Sequence, residues 1–224
     1  MGQKVLLIDI DPQGNATTGV GVDKNKLEYC IYDLLINNLK VRDVIIPSAL
    51  EQLDLIPATI ELAGAEIELV SIPGRENVLK NALAEIREDY DYIFIDCPPS
   101  LGLLTINALT AADSLIIPIQ CEFYALEGLS QLMNTIKMVQ QSLNKGLTLE
   151  GVLLTMFDGR TNLAIQVVDE VKKYFKEKVY KSIVPRNVRI SEAPSHGKPV
   201  MVYDKRSRGA EVYRELAREV MGVE

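Results

Sequence analysis

The sequence predicts an α/β fold in which a mostly parallel sheet carries helices on both faces, a three-layer arrangement. Three observations point there. Short runs rich in valine, isoleucine and leucine alternate with segments of helical period. The runs are nearly continuous in apolar residues instead of alternating, as strands buried on both faces are. Polar clusters follow the strands, and ligands of such sheets bind at the strands' carboxyl ends.

The first strand is predicted at Lys4–Ile8, where V-L-L-I runs into D-I-D-P-Q-G-N. Further strands are predicted at Leu53–Ile56, Tyr92–Ile95, Leu115–Ile119, Gly151–Thr155 and Val179–Val184. Helical periodicity predicts helices over Ile31–Asn37, Ile60–Val70, Asn77–Glu88 and Leu103–Ala111. The same pattern recurs over Ala125–Leu143, Leu163–Lys176 and Arg208–Val220. In the longest of these, Leu126, Leu129, Met133, Ile136 and Val139 share one face and are expected to be buried. With 224 residues and no repeat, linker or low-complexity stretch, one domain over 1–224 is expected.

Composition narrows the function classes. No apolar run approaches the roughly 18–20 residues that span a bilayer, and no signal-peptide pattern opens the chain. The three cysteines form no C-x-x-C pair and are expected to be buried free thiols in a reducing compartment. The net charge of −7 is uneven. Residues 1–157 hold 10 lysines and arginines against 21 acidic residues, whereas residues 158–224 hold 14 against 10. A basic final third can touch a polyanion locally, although solvated helix faces account for many of those lysines equally well.

Two segments carry chemistry. In Y-D-Y-I-F-I-D-C-P-P-S a hydrophobic strand ends in Asp96, the form of a Walker B carboxylate that orders Mg²⁺ beside nucleotide phosphates. The proline-fixed turn after it suits a phosphate-sensing loop, or simply a rigid connection. In D-I-D-P-Q-G-N, Asp9 is placed to position a metal or its waters, and Asp11 to orient an attacking water as general base. Pro12 fixes φ there and Gly14 permits the return. The alternative is a turn whose aspartates cap the next segment. His196, the sole histidine, has no ligand partner at suitable spacing and reads as a surface residue.

Four ordered stretches, V-L-L-I-D-I-D-P-Q-G-N-A-T-T-G, Y-I-F-I-D-C-P-P-S-L-G-L-L-T-I-N-A-L, P-I-Q-C-E-F-Y-A-L-E-G-L-S-Q-L and P-R-N-V-R-I-S-E-A-P-S-H-G-K-P-V-M-V-Y-D-K-R-S-R-G-A-E-V-Y, together resemble the ParA/Soj chromosome-partitioning ATPases of the deviant Walker A group. The resemblance runs from Lys4 to about Val220. It implies a three-layer P-loop NTPase-like fold, here missing its first strand, P-loop and first helix, with ATP and Mg²⁺ as cofactors, homodimerisation on ATP, nonspecific DNA binding, and hydrolysis stimulated by a ParB/Spo0J-type partner. It further implies a cytoplasmic, nucleoid-associated bacterial protein, with no membrane partner. Carried over residue by residue, it gives Asp11 as catalytic, Asp9 and Asp96 at the metal, Pro185 and Asn187 around the adenine, and Arg160 and Arg189 on DNA. Lys198, Lys205, Arg206 and Arg208 extend the basic patch. Glu122 and Glu127 fall on the dimer face or on a solvated helix start.

One family feature is missing from the chain. No stretch reads G-x-x-x-x-G-K-[ST]: Gly197-Lys198 is followed by Pro199, and Gly19-Val20-Gly21 follows a turn. In the family a strand, a phosphate loop and a helix, about 30 residues, precede the segment corresponding to Lys4, and the strand lies beside the Walker B strand. Met1 is therefore expected to be a misplaced start or an artificial boundary, and the chain as it stands to neither bind ATP tightly nor hydrolyse it. The alternative is a genuine short noncatalytic regulator that binds DNA or full-length partners.

Overall fold

In the computed structural model the described residues are 2–122 and 127–223, without the side chain of Glu127. They divide into two compact units, one of residues 1–112 and 138–146, the other of 113–137 and 147–224.

The first unit is built on a four-stranded sheet in the order β2-β3-β1-β4. Its strands are β1 (Val5–Asp9), β2 (Ile46–Pro47), β3 (Leu53–Ile56) and β4 (Tyr92–Asp96). β1 runs parallel to both neighbours, with Ile8 opposite Ile56 on one side and Ile95 on the other. β2 is antiparallel and carries Pro47, which lacks the N–H an interior strand must donate. β1 is central because strands pair on both its edges and one face packs into the core. Val5 and Leu7 on the other face are partly buried, while Leu6, Ile8 and Ile10, alternate residues on the core face, are fully buried with Ile31, Leu62, Leu79 and Leu104. Those four come from α2 (Ile31–Leu35), α4 (Leu62–Glu68), α5 (Val78–Leu83) and α6 (Leu103–Ala111). Short helices α1 (Asn15–Gly19) and α3 (Val41–Val44) complete the unit's named helices apart from α7. Buried Asn107 on α6 fixes α5 by accepting from the Leu79 N–H at 3.1 Å and donating to the Arg75 carbonyl at 2.7 Å. Among the described residues β4 pairs only with β1, and Phe94 on it is 43% exposed.

The second unit holds the parallel pair β5 (Ser114–Gln120) and β6 (Thr148–Thr155). Its helices include α8 (Asn162–Phe175), α9 (Val188–Glu192), α10 (Val200–Tyr203) and α11 (Arg208–Met221); α7 (Glu127–Ser142) is shared between the two divisions of the chain. Thr161 and Ser207 cap α8 and α11 through their hydroxyls. α8 buries Ala164, Val167, Val168, Val171 and Phe175 at helical spacing, so its burial follows its sequence period.

Several expectations are corrected. Val179–Val184 forms no strand; Val179 makes an isolated bridge to Val152 of β6 and the Val184 N–H donates to the Leu154 carbonyl, but between them the Lys181 and Ser182 N–H groups turn to the Glu219 carboxylate at 2.8 Å. A side chain from α11 thus replaces the ladder. The helix expected over Asn77–Glu88 stops at Leu83 and continues as turns, with the Glu85 carbonyl taken by Arg42. Ile136 and Val139 of α7 are buried and Leu129 and Met133 partly so, whereas Leu126 and the expected start at Ala125 lie outside the described residues. Cys30 and Cys121 are buried thiols, but Cys97 is exposed. His196 is exposed, as expected, and stacks on Tyr203.

Candidate nucleotide and DNA sites

The parallel register of β1 and β4 sets Asp9 directly opposite Asp96, and the Ile10 N–H donates to the Asp96 carbonyl at 2.9 Å. After β1 the chain turns sharply. Gly14 sits at φ +61°, and a Cβ there would stand 2.8 Å from the Ala58 carbonyl, so glycine is required twice over. The turn is closed by the Gly14 N–H on the Asp11 carbonyl and by Lys24 Nζ on the Gln13 carbonyl.

The three aspartates have different surroundings. Asp9 is fully buried, and its Oδ2 accepts from both the N–H and the hydroxyl of Thr17, each at 2.7 Å. The Thr17 hydroxyl in turn accepts from the Ala58 N–H at 3.0 Å, and Asp9 Oδ1 receives the Asp11 N–H at 3.2 Å. Asp9 is therefore the pin of the turn. Asp11 is half-buried; its Oδ1 accepts from the Gln13 N–H at 2.9 Å, while Oδ2 takes no donor among the described residues. Asp96 lies at the solvent-reached end of β4, and its carboxylate takes no donor among them either. Lost hydration around its carboxyl, then the charges of Asp9 and Asp11, push Asp96 up to about 6. The same surroundings push the Cys97 thiol beside it up to about 12, away from the reactive thiolate.

No lysine or arginine among the described residues pairs with any of the three. Negative charge left uncompensated on Asp96 and Asp11 fits a hard cation with oxygen ligands. The described residues form no three-carboxylate cage. Mg²⁺ does not need one, because it typically takes one or two carboxylates and completes its shell with waters and phosphates. Asp96 and Asp11 are thus the available donors, and Asp9 acts through the fold it fixes. Sequence reasoning gave no signal for Thr17, which lies inside a short helix.

The remaining expected residues lie in the second unit. The Phe157 N–H donates to the Val184 carbonyl and the Arg186 N–H to that of Phe157, so the Asp158–Arg160 turn runs beside Pro185–Arg189. Asn187 caps α9 with its amide oxygen on the Arg189 N–H at 2.9 Å, as a helix-capping turn would, and its amide NH₂ has no partner among the described residues. Pro185 is half-buried in the bridge to Phe157. Arg160 forks onto Asp158 with bonds of 2.9 and 2.6 Å, and that guanidinium holds Asp158 down at about 2. Arg189 pairs with Glu192 at 2.9 Å and Asp204 at 3.4 Å. Arg208 pairs with Glu211 and Glu215, and Arg186 with Glu122, one of the two glutamates expected at the dimer face or a helix start. Both arginines expected on DNA are exposed and neutralised internally. No helix is long and apolar enough to cross a membrane among the described residues.

A family described as an AAA domain matches residues 1–149. The sporulation initiation inhibitor protein Soj of Bacillus subtilis (strain 168) is 66% identical over 220 residues, covering 98% of this chain and 87% of Soj. The chromosome partitioning protein ParA of Myxococcus xanthus is 55% identical over 98% of this chain and 77% of its own length. A solved structure of cobyrinic acid a,c-diamide synthase from Mycobacterium smegmatis with bound ADP and magnesium superposes with a TM-score of 0.85 at 39% identity, over 98% of this chain and 82% of that one.

Proposed function

The chain belongs to the Soj/ParA family of chromosome-partitioning ATPases, and we propose that its own residues supply the carboxylate half of a Mg²⁺–ATP site and a DNA-binding face. The observation that carries this reading is the parallel register of β1 and β4, which sets Asp9 opposite Asp96 and puts Asp11 within electrostatic reach of it, with Asp96 pushed up to about 6 by lost hydration and by its acidic neighbours. Mg²⁺–ATP, when bound, brings the reactive phosphoanhydride and the positive charge that offsets these carboxylates. Asp96 would hold the cation through its waters, and Asp11, whose Oδ2 has no donor among the described residues, would serve as the base toward the attacking water. Asp9, clamped by Thr17, keeps the Asp11 turn fixed. The family resemblance assigns Pro185 and Asn187 to the adenine base. As a family member the protein dimerises on ATP and coats DNA without sequence preference, and a ParB-type partner stimulates hydrolysis. On this reading the whole chain acts as one domain, cytoplasmic and associated with the nucleoid.

Arg160 and Arg189 contact DNA phosphates, exchanging Asp158, Glu192 and Asp204 for the polyanion. The chain contains no G-x-x-x-x-G-K-[ST] stretch to cradle phosphates with backbone N–H groups. On this reading the 224-residue chain turns over no ATP by itself.

The test is phosphate release from Mg²⁺–ATP by this chain and by the same chain preceded by a strand, a K-G-G-x-G-K-T loop and a helix. The reading expects turnover only in the extended form, lost in Asp11→Ala. Turnover by the short chain, or turnover in the extended form that survives Asp11→Ala, would overturn it. DNA binding by the short chain with no turnover in either form would favour a noncatalytic regulator.

A further inference from the structure

Helix α4 is apolar on two opposite faces, and only one of them is buried. Leu62, Ala65 and Leu69 are fully buried in the first unit's core. On the other side Ile60 is 68% exposed, Ile67 79% and Val70 57%, with exposed Ala63 between them. The helical course is continuous across this stretch. The Ala63 N–H donates to the Ile60 carbonyl, Glu61 is already helical, and Leu69–Ser71 extends the helix as a 3-10 turn. Residues 60, 63, 67 and 70 follow the three-four-three spacing of a heptad seam, the pattern by which one helix packs along another. A contiguous apolar stripe of this kind on a surface marks a contact site.

The charge around the seam says what fits it. Glu61 and Glu68 flank it and are exposed, Glu68 being steadied by the Tyr32 hydroxyl at 3.0 and 3.1 Å. At its Ile60 end the seam adjoins a hollow of about 570 Å³ lined by Pro12, Gln13, Lys24, Glu28, Asp33 and Glu61 among others, three carboxylates against one lysine. The nearby cations are already engaged, Lys24 with the Gln13 carbonyl and Arg75 with Glu76 and the Val70 carbonyl. A second copy of this chain laid seam to seam would bring Glu61 and Glu68 against their own kind, which costs rather than stabilises.

We propose that this face docks a basic amphipathic helix from a protein partner. Aliphatic residues of that helix at heptad spacing fill the seam, its flanking lysines or arginines meet Glu61 and Glu68, and one cationic side chain enters the hollow beside Pro12 and Gln13. The partner then touches the turn that carries Asp11. The proposal stands without the nucleotide reading, since it uses none of the metal, base or DNA residues.

The probe is a fluorescently labelled designed helix with leucine at the seam positions and lysine elsewhere, compared with the same helix carrying glutamate in place of lysine. Anisotropy with the full chain reads both. The expected result is binding of the basic helix that weakens with salt, with the acidic helix at least about tenfold weaker. Ile67→Asp should weaken the basic helix by about tenfold or more, and Ile165→Asp, at a 44% exposed apolar position on α8, should not. Circular dichroism shows that each variant is folded. Equal binding of both helices, no binding of the basic one, or equal loss in Ile67→Asp and Ile165→Asp would overturn the proposal. So would self-association in sedimentation that Ile67→Asp abolishes, because a second copy would then own the face.

Discussion

Replacing Thr17 by valine should destabilise the first unit far more than its size suggests. Valine matches threonine in shape and is apolar, so the substitution removes the hydroxyl and little else. That hydroxyl makes two buried bonds: it donates to Asp9 Oδ2 at 2.7 Å and accepts the Ala58 N–H at 3.0 Å, where Asp9, Thr17 and Ala58 are all fully buried. A hydrogen bond to a charged group contributes about 1.5–3 kcal/mol, and a stranded buried N–H costs about 1–3 kcal/mol. Together the expected loss is about 3–5 kcal/mol. Thr17→Ser keeps the hydroxyl and loses one methyl, for about 1 kcal/mol. Urea unfolding of both variants supplies the comparison, and hydrogen exchange at the Ala58 amide reports the local bond, whose protection should fall in valine and persist in serine. If Thr17→Val and Thr17→Ser unfold within about 1 kcal/mol of one another, the clamp on Asp9 is not what holds the turn.

Three further outcomes are expected. Asp96 has a folded value of about 6 against 3.8 for the ordinary carboxyl, so between those values the folded state binds more protons and its stability falls as pH rises through that window. Asp96→Asn should therefore gain stability relative to the parent on going from pH 4 to pH 7, read from urea midpoints; a constant gap would contradict it. Glu219→Ala should cost roughly 1–3 kcal/mol, chiefly by stranding the N–H and hydroxyl of buried Ser182, with Glu219→Gln recovering part of it in the same assay. For random-sequence duplex DNA, Arg160→Ala and Arg189→Ala should each lower the salt slope of binding by about 1, and unchanged slopes would remove these arginines from the interface.

Strands whose neighbours are strands were legible in the apolar runs: Leu53–Ile56 and the helix Leu103–Ala111 match their predicted bounds, and β1 and β4 shift by a residue. What failed had a nonlocal cause. Val179–Val184 has the composition of a strand, but Glu219, about 40 positions onward, takes the N–H groups a ladder would use. The two-residue strand β2 survives only because an edge tolerates Pro47. At the site, Asp9, Asp11 and Asp96 were legible because acidic residues directly follow apolar runs. Their division of labour was not, since it depends on Thr17 reaching back to Asp9 across eight residues. The ion pairs that occupy Arg160 and Arg189 were equally hidden, because Asp158, Glu192 and Asp204 become their partners only once the loops are folded. Helical period predicts a helix over Ile60–Val70, but period alone cannot show that the face opposite the seam is already full.

The most direct test of the carboxylate site is the titration of Asp96 itself, followed by the carboxyl carbon resonance in the folded chain. The account predicts a midpoint near 6, moving down when Asp11→Asn removes a neighbouring charge and again when Mg²⁺ is added. A midpoint near 3.8, unmoved by either change, would mean that these aspartates do not act on one another and form no common site.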